Sequence, residues 1–384
     1  MKQGWEYKKL GEVCDFQGGS QPPKSEWSKE LKTNYIRMLQ IRDFTQSATE
    51  YIEYVKSSKS LKCCEKDDIL LARYGASVGK ILSGLSGAYN VAIMKSMPNT
   101  DYITKPYIKY YFLSPVFQHQ LSIVSQHRAA QAGFSKEDIF DFQLPIPPIS
   151  QQQSIVAELD KINEIIDLKK AQLKDLDLLA QSIFYEMFGD PIENPKGWEV
   201  KRLGEVCKVG TGSTPNRKRS DYYEGLIPWV KSTEVANCRI GKTEEHISDI
   251  AIKETNCSLY PKGTILMAMY GQGKTRGQIA ILDIDATTNQ AVAAILPNKN
   301  LNIDYLYQYL HLQYDNIRSM ARGGNQANLN LSLVKSISAP IPPLSLQQSF
   351  SSKIQSIESQ KSAIKQSLAE VETLLASRMD YWFN

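Results

Sequence analysis

The chain has 384 residues, 42% hydrophobic and 22% charged, with a formal net charge of +4. That length suggests two or three globular domains, and no apolar run approaches the roughly 18 residues of a membrane span. Six scattered cysteines (14, 63, 64, 207, 238, 257) form no C-x-x-C, and four histidines (119, 127, 246, 311) form no H-x₃₋₅-H pair, so no zinc site is written.

MKQGWEYKKLGEV, at the start, lacks the apolar core of a secretory signal, so no export signal is expected. Free thiols in a chain this large fit a reducing cytoplasm. GWEYKKLGEVC (4–14) predicts a strand opening on Trp-Glu-x-Lys, with Cys14 a small core residue. It recurs as GWEVKRLGEVC (197–207), with nine of eleven positions identical at an offset of 193, and Cys207 takes the place of Cys14. DILLARYG (68–75) recurs as TILMAMYG (264–271) at 196, and LPIPPISQQQSI (144–155) as APIPPLSLQQSF (339–350) at 195. Such a period is domain-sized, far beyond the roughly 20–50 residues of a solenoid. One unit is duplicated, each copy a globular domain plus an appended element.

Within the globular parts, 1–149 and 189–344, the stretches ILLARYG, TILMAMYG, GQIAILDI and QAVAAILPN lie between Gly, Asn and Pro and predict strands. DYITKPYIKYYFLSPVFQHQL (101–121) and NIDYLYQYLHLQYDNIRSM (302–320) each predict a helix by their three–four apolar spacing. The class is α+β.

Each PIPP stops the upstream structure and starts a long helix. Ser150-x-x-Gln153 and Ser345-x-x-Gln348 have capping-box spacing. Apolar residues then follow at Ile155, Leu159, Ile162, Ile166, Leu173, Leu176, Ala180, Ile183 and Met187, skipping only Lys169. The second copy has Phe350, Ile354, Ile357, Ile364, Leu368, Val371 and Leu375, skipping only Lys361. A 3.5-residue period argues a coiled-coil seam rather than a helix lying on a globular core. Gly189 and Pro191 end the first helix. Residues 150–188 make a rod of roughly 58 Å, and 345–384 make its partner. A two-fold relation would set the rods antiparallel with a globular domain at each end. The alternatives are rods that pair with another protein's helices or fold back on their own domains.

Charge is uneven. Residues 1–149 carry a net +4 and 189–344 a net +3, whereas 150–188 carry a net −3. A mild excess of this kind points only weakly to nucleic acid. The polar loop TGSTPNRKRSDYY (211–223) sharpens it, with three consecutive cations among hydroxyls and tyrosines. GGSQPPKSEW (18–27) keeps its Gly-Ser-x-Pro skeleton and changes the side chains. HRAAQAG (127–133) stands in the same relation to RGGNQAN (322–328). Retained skeletons with divergent tips fit two copies that read different things, or exposed loops that have drifted.

Three catalytic readings fail on their context. AMYGQGKT (268–275) fits a permissive phosphate-loop pattern, but RGQIAILDI after it predicts a strand where a phosphate loop needs a helix. Asp190 with Glu199-x-Lys201 superficially resembles a metal-nuclease triad, yet Glu6-x-Lys8 has no preceding aspartate. No F-x-G-x-G or N-P-P-Y stretch provides for a methyl donor.

The chain resembles the DNA-specificity subunit of type I restriction–modification enzymes. The resemblance rests on the duplicated GWExKxLGEV openings (Gly4–Val13, Gly197–Val206), the Gly212-Ser213-Thr214-Pro215 loop and the duplicated P-I-P-P-x-S-x-Q-Q segments, and it covers nearly the whole chain. It departs at Gln21, which replaces the loop threonine in the first copy. The resemblance implies two target-recognition domains (1–149 and 189–344), separated by a long antiparallel two-helix coiled coil (150–188 and 345–384). Each domain would read half of a split double-stranded DNA target, with the helices as a ruler for the spacer. It implies docked methyltransferase subunits and, in the larger complex, restriction subunits. S-adenosylmethionine, ATP and magnesium would be used by those partners, with no catalytic residue, metal or cofactor on this chain.

Lys and Arg suit phosphates; Arg, Asn and Gln at loop tips suit base edges. The DNA-binding candidates are Lys24, Arg73, Lys80, Arg128 and Gln131 in the first domain. In the second they are Asn216, Arg217, Lys218, Arg219, Gln272, Lys274, Arg276, Arg322, Asn325 and Gln326. Ile155, Leu159, Ile162, Ile166, Leu173, Leu176, Ile354, Ile357, Ile364, Leu368 and Val371 are the candidates for the seam. The rival readings are a two-domain protein-binding scaffold and a nuclease or methyltransferase with unrecognised motifs.

Overall fold

The duplicated opening and the duplicated PIPP segment are partners. Glu6–Lys9 pairs antiparallel with Gln143–Ile146, and Val200–Arg202 pairs with Ser338–Pro340. Each two-stranded ribbon ties the start of a repeat to its end, and its prolines sit where a short ribbon tolerates a missing donor. The structure, a computed structural model, describes residues 4–46, 49, 51–126, 133–271, 273–321 and 328–384. Two units emerge from its contacts, Met1–Lys170 with Gln366–Asn384, and Ala171–Lys365.

In the first unit one sheet runs in the order Cys14–Gly18, Ile93–Pro98, Leu70–Ala72, Ile81–Leu82. A second runs Trp27–Ser28, Glu53–Lys56, Tyr35–Leu39, Gly87–Tyr89, Cys63–Cys64. The second unit repeats the first sheet as Cys207–Thr211, Val292–Pro297, Ile265–Ala268, Ile279–Leu282, with Cys238–Ile240 added at the edge. Its other sheet is Glu245–Ile247, Ile227–Val230, Thr287–Thr288. Cys14 and Cys207 are buried, and all six cysteines are free thiols.

The segments predicted as one helix each are two. Lys105–Leu113 is followed by Pro115–Gln126, and Ile303–Leu312 by Tyr314–Met320. Ser114, forced out of the helical region by the following proline, takes an extended backbone and breaks the first pair. Thr104 and Asn302 cap the leading helices with their side chains.

The long helices span Ile149–Phe188 and Leu344–Phe383. Gly189, at φ +85°, closes the first one. The expected capping boxes are not formed, because Ser150 and Ser345 already lie inside the helices. The Pro148 and Pro343 carbonyls take the first amides instead, from Gln151 and Gln152 and from Leu346 and Gln347.

The neighbouring glutamine, one residue earlier, has a different role from the one the capping pattern assigned to Gln153 and Gln348. Gln152 and Gln347 are fully buried. Gln152 donates to the carbonyls of Tyr102 and Pro147 and accepts from the Thr104 amide. Gln347 does the same with Asn300, Pro342 and Asn302. A satisfied buried amide fixes each helix to the cap of the domain helix beside it.

The reading of the apolar stripe as seam alone is also corrected. Ile155 and Leu159 belong to the globular core of the first unit, with Met379 and Phe383 from the end of the second helix. Ile354 and Ile357 belong to the core of the second unit, with Phe184 and Phe188 from the end of the first helix. A large apolar face at a helix end gains more by entering a core than by facing one narrow partner. Ile162 and Ile166 are buried, while Leu173, Leu176, Ile364, Leu368 and Val371 are half-buried.

Within each unit the two helices run antiparallel. In the first, Glu158 meets Arg378 and Lys170 meets Glu372 at 3.5 Å. In the second, Asp177 meets Lys361 at 2.8 Å and Phe188 meets Phe350 at 5.4 Å between ring centres.

Arg378, with Trp382 at 3.1 Å, holds the Glu158 carboxyl below the usual carboxylate range. A group with a depressed folded pKa stabilises above its unfolded value and loses that contribution as pH falls through the folded one. Glu158→Gln is therefore expected to cost stability at pH 7 and little once pH falls well below about 4. Urea midpoints of both proteins across that range check this.

Candidate nucleic-acid interface

Strand register brings two loops to one end of the same sheet in each unit, with the described flank of a third segment beside them. Gly18 lies opposite Met94, and Ile93 opposite Ala72. Loop 19–26 therefore leaves the sheet at the end where loop 73–80 begins. Phe134 donates its amide to the Arg73 carbonyl at 3.3 Å, which sets Phe134 beside them. In the second unit Thr211 lies opposite Ala293, and Ala268 opposite Val292. Leu329 donates to the Met269 carbonyl at 3.1 Å. Loops 212–222 and 269–278 share that origin, with Leu329 beside them.

The Gly-Ser skeleton is retained because it touches backbone. A Cβ on Gly212 would lie 1.7 Å from the Thr288 carbonyl oxygen, and one on Gly19 2.0 Å from that of Asn90. Ser213 and Ser20 then donate to the carbonyls of Thr288 and Tyr89 at 3.0 and 2.9 Å. Thr214 bonds the Gln290 side chain. The first copy has Gln21 and Val91 at these places and does not repeat that bond, so the departure in the loop changes its bracing.

The three consecutive cations differ in kind. Arg217 pairs with Glu245 and lies over the rings of Tyr223 and Trp229, at 4.4 and 4.9 Å. It holds the Glu245 carboxyl below its ordinary range. Tyr223 donates to the Pro215 carbonyl at 2.7 Å, and Trp229 to that of Ser213 at 3.0 Å. Arg219 forks onto Asp221 and lies over Tyr222. Both arginines brace the loop by charge and ring contacts. Lys218 is exposed and, among the described residues, has no ion-pair partner; Asn216 is exposed beside it and accepts its amide at 3.0 Å.

Arg73 lies over Tyr74 at 4.9 Å and donates to the Phe134 carbonyl at 3.3 Å. Lys24, Lys80 and Lys274 are exposed and Arg276 is half-buried. The Lys274 and Arg276 carbonyls accept from Tyr314 and Arg318. Arg128, Gln131, Gln272, Arg322, Asn325 and Gln326 lie outside the described residues.

The catalytic readings do not survive the geometry. AMYGQGKT joins the antiparallel strands Ile265–Ala268 and Ile279–Leu282, and no helix follows it. Asp190 accepts the amides of Ile192 and Glu193 in a turn, and Glu199 pairs with Lys201 at 3.2 Å. Among the described residues no His/Cys/Asp/Glu group could hold a metal ion, and no helix is long and apolar enough to cross a membrane.

A family model described as the type I restriction modification DNA specificity domain matches twice, at residues 2–177 and 195–373. The chain belongs to this family. The MjaIX type I restriction enzyme specificity subunit of Methanocaldococcus jannaschii is 24% identical over 92% of this chain and 87% of its own length. The S subunit of a type I restriction–modification system from M. genitalium shares the fold, with a TM-score of 0.58 and 14% identity over 99% of this chain and 96% of that one. A chain solved in work on type I R-M complex assembly and conformational transition has a TM-score of 0.60 and 20% identity, covering 99% of this chain and 97% of that one. The specificity chain is thus a recognition subunit and not a catalytic one, and the scaffold alternative gives way. Sequence reasoning missed the paired latches Gln152 and Gln347 and the bracing partners Glu245, Trp229 and Gln290. Recurrence of the glutamine at the 195 offset was the one signal available for the latches.

Proposed function

We propose that this loop-bearing end of each unit reads one half of a bipartite duplex DNA target, and that the long helices set the unread spacer and dock methyltransferase subunits. In this reading 1–149 and 189–344 are the target-recognition domains and 150–188 and 345–384 the spacer helices. Restriction subunits join the larger complex in the cytoplasm. S-adenosylmethionine, ATP and Mg act on the partners, and this chain binds no cofactor.

The observation that carries the proposal is the convergence of loops at equivalent sheet ends, with shared backbone contacts and different side chains. Lys24, Lys80, Lys218 and Lys274 are assigned to phosphates, as exposed cations on those loops. Asn216, Arg276 and Arg73 suit base edges or sugar–phosphate contacts, with Arg217 and Arg219 as bracing. The candidates at 128, 131, 272, 322, 325 and 326 are assigned to DNA contact by residue type and place in the sequence alone.

Exchange of 1–149 for a homologous domain is the test. Methylated sites mapped in cells carrying the chimera and its partners are expected to change in one half-site and keep the other. A change in both halves would defeat independent reading.

A further inference from the structure

The two repeats carry a groove at the same place with different electrostatics. Ile81 faces Leu71 as Ile279 faces Met267, so Ser83 corresponds to Ile281. Tyr107 donates to the Pro145 carbonyl as Tyr305 does to that of Pro340, so Lys109 corresponds to Tyr307 and Leu113 to His311.

In the second unit the cleft of about 450 Å³ at Ile281, Tyr307 and His311 is filled with self-neutralised charge. Arg239 pairs with Asp283 at 2.9 Å, and Lys361 with Asp177 and Glu358, both at 2.8 Å. In the first unit the groove of about 540 Å³ is lined by Lys80, Lys109, Thr45, Ser83 and Gln118 over the apolar wall of Phe44 and Leu113, with no carboxylate in its lining among the described residues. Neither Lys80 nor Lys109 has an ion-pair partner among the described residues, although Lys105, one turn away, is held by Asp67 and Asp68. Two lysines in one lining, with no carboxylate among the described residues to offset them, give the groove a positive potential that favours an anion. Lys80 ends the loop 73–80, and Gln118 ties Gly79 of that loop to the groove floor at 3.0 Å.

We infer that this groove holds a backbone phosphate of the first half-site, with Lys80 and Lys109 as its cations. The inference rests on the duplex-reading proposal. A lysine pair without bidentate geometry suits a phosphate charge better than a base edge. It adds Lys109, a helix residue outside the loop tips, to the contact surface.

The test uses the full chain with its methyltransferase subunits and a random-sequence duplex, titrated between about 0.05 and 0.2 M salt. Loss of one phosphate contact in the Lys80→Ala, Lys109→Ala double variant is expected to flatten the log K against log salt slope by about 0.9. With the two affinities converging at about 1 M salt, that slope corresponds to roughly eightfold weaker binding at about 0.1 M. Lys109→Arg should keep wild-type affinity, and the methylated sequence should not change. Should the double variant fold poorly, Lys80→Ala alone alters an exposed side chain and should flatten the slope in part.

An unchanged slope in a folded double variant overturns the inference. So does a changed target sequence, which would make the lysines base readers. Loss of co-purifying methyltransferase with the slope intact also overturns it, since the groove would then take a protein. Absence of salt-dependent duplex binding by the wild-type complex would instead overturn the duplex reading beneath it.

Discussion

Phe383→Ala is expected to destabilise the N-terminal unit by roughly 3–5 kcal/mol, although Phe383 is the penultimate residue of the chain. Its side chain is 3% exposed, and its ring centre lies 5.2 Å from that of Tyr107 and 6.1 Å from that of Tyr111. With Met379 it fills the core that Leu10, Phe117 and Leu144 line from residues far earlier in sequence. Truncating the ring leaves a cavity among aromatic neighbours that are themselves held by hydrogen bonds to the strand at 143–146 and cannot collapse freely. Leu374→Ala, on the same helix at 48% exposure, should change stability by no more than about 0.5 kcal/mol. Denaturant titration with hydrogen exchange at 107–112 reads both. Fraying of the final turn with unchanged exchange at 107–112 would contradict this account of the core. Phe188→Ala is the matching change in the second unit, where Phe188 sits against Tyr305 at 4.7 Å.

An insertion near Lys169 is expected to act on the spacer, and its length decides whether the protein survives. Four residues add about 6 Å of helix and turn the downstream portion by about 40°. A stutter of that size is tolerated in paired helices. Six ångströms is close to two base-pair rises, since ten take about 34 Å. Two residues rotate the apolar stripe by roughly 200° and expose it. Because both ends of each long helix are locked into globular cores, a register error cannot be relieved by sliding. Spacer lengths of methylated sites in cells carrying each variant are the measurement. The four-residue variant should lengthen the spacer and keep both half-sites, whereas the two-residue variant should fail to assemble. An unchanged spacer in a folded, active four-residue variant would favour helices that only dock partner subunits.

The sequence revealed the duplication because both members of each pairing recur. Glu6–Lys9 and Gln143–Ile146 are repeated together, since either strand alone would leave a ladder unpaired. The long helices were legible from apolar spacing, but their destination was not. A stripe at Ile155 and Leu159 looks the same whether it meets a helix or a domain core, and only the aromatics at 184, 188 and 383 hinted at a core. The break at Ser114 was written in the following proline and was overridden by the three–four pattern around it. Loop chemistry was least legible. Arg217 reads as a free cation in RKR, yet its partners Trp229 and Glu245 come from strands 12 and 28 residues downstream, positions that no local pattern connects. Lys109 was passed over because a lysine on an amphipathic helix ordinarily faces solvent.

The most direct test of two-part reading is a methylation map of DNA from cells that carry this chain with its partner subunits. Two short specified elements separated by a spacer of fixed length and free sequence are the predicted result. A single uninterrupted recognition sequence, or methylation without sequence preference, would contradict it.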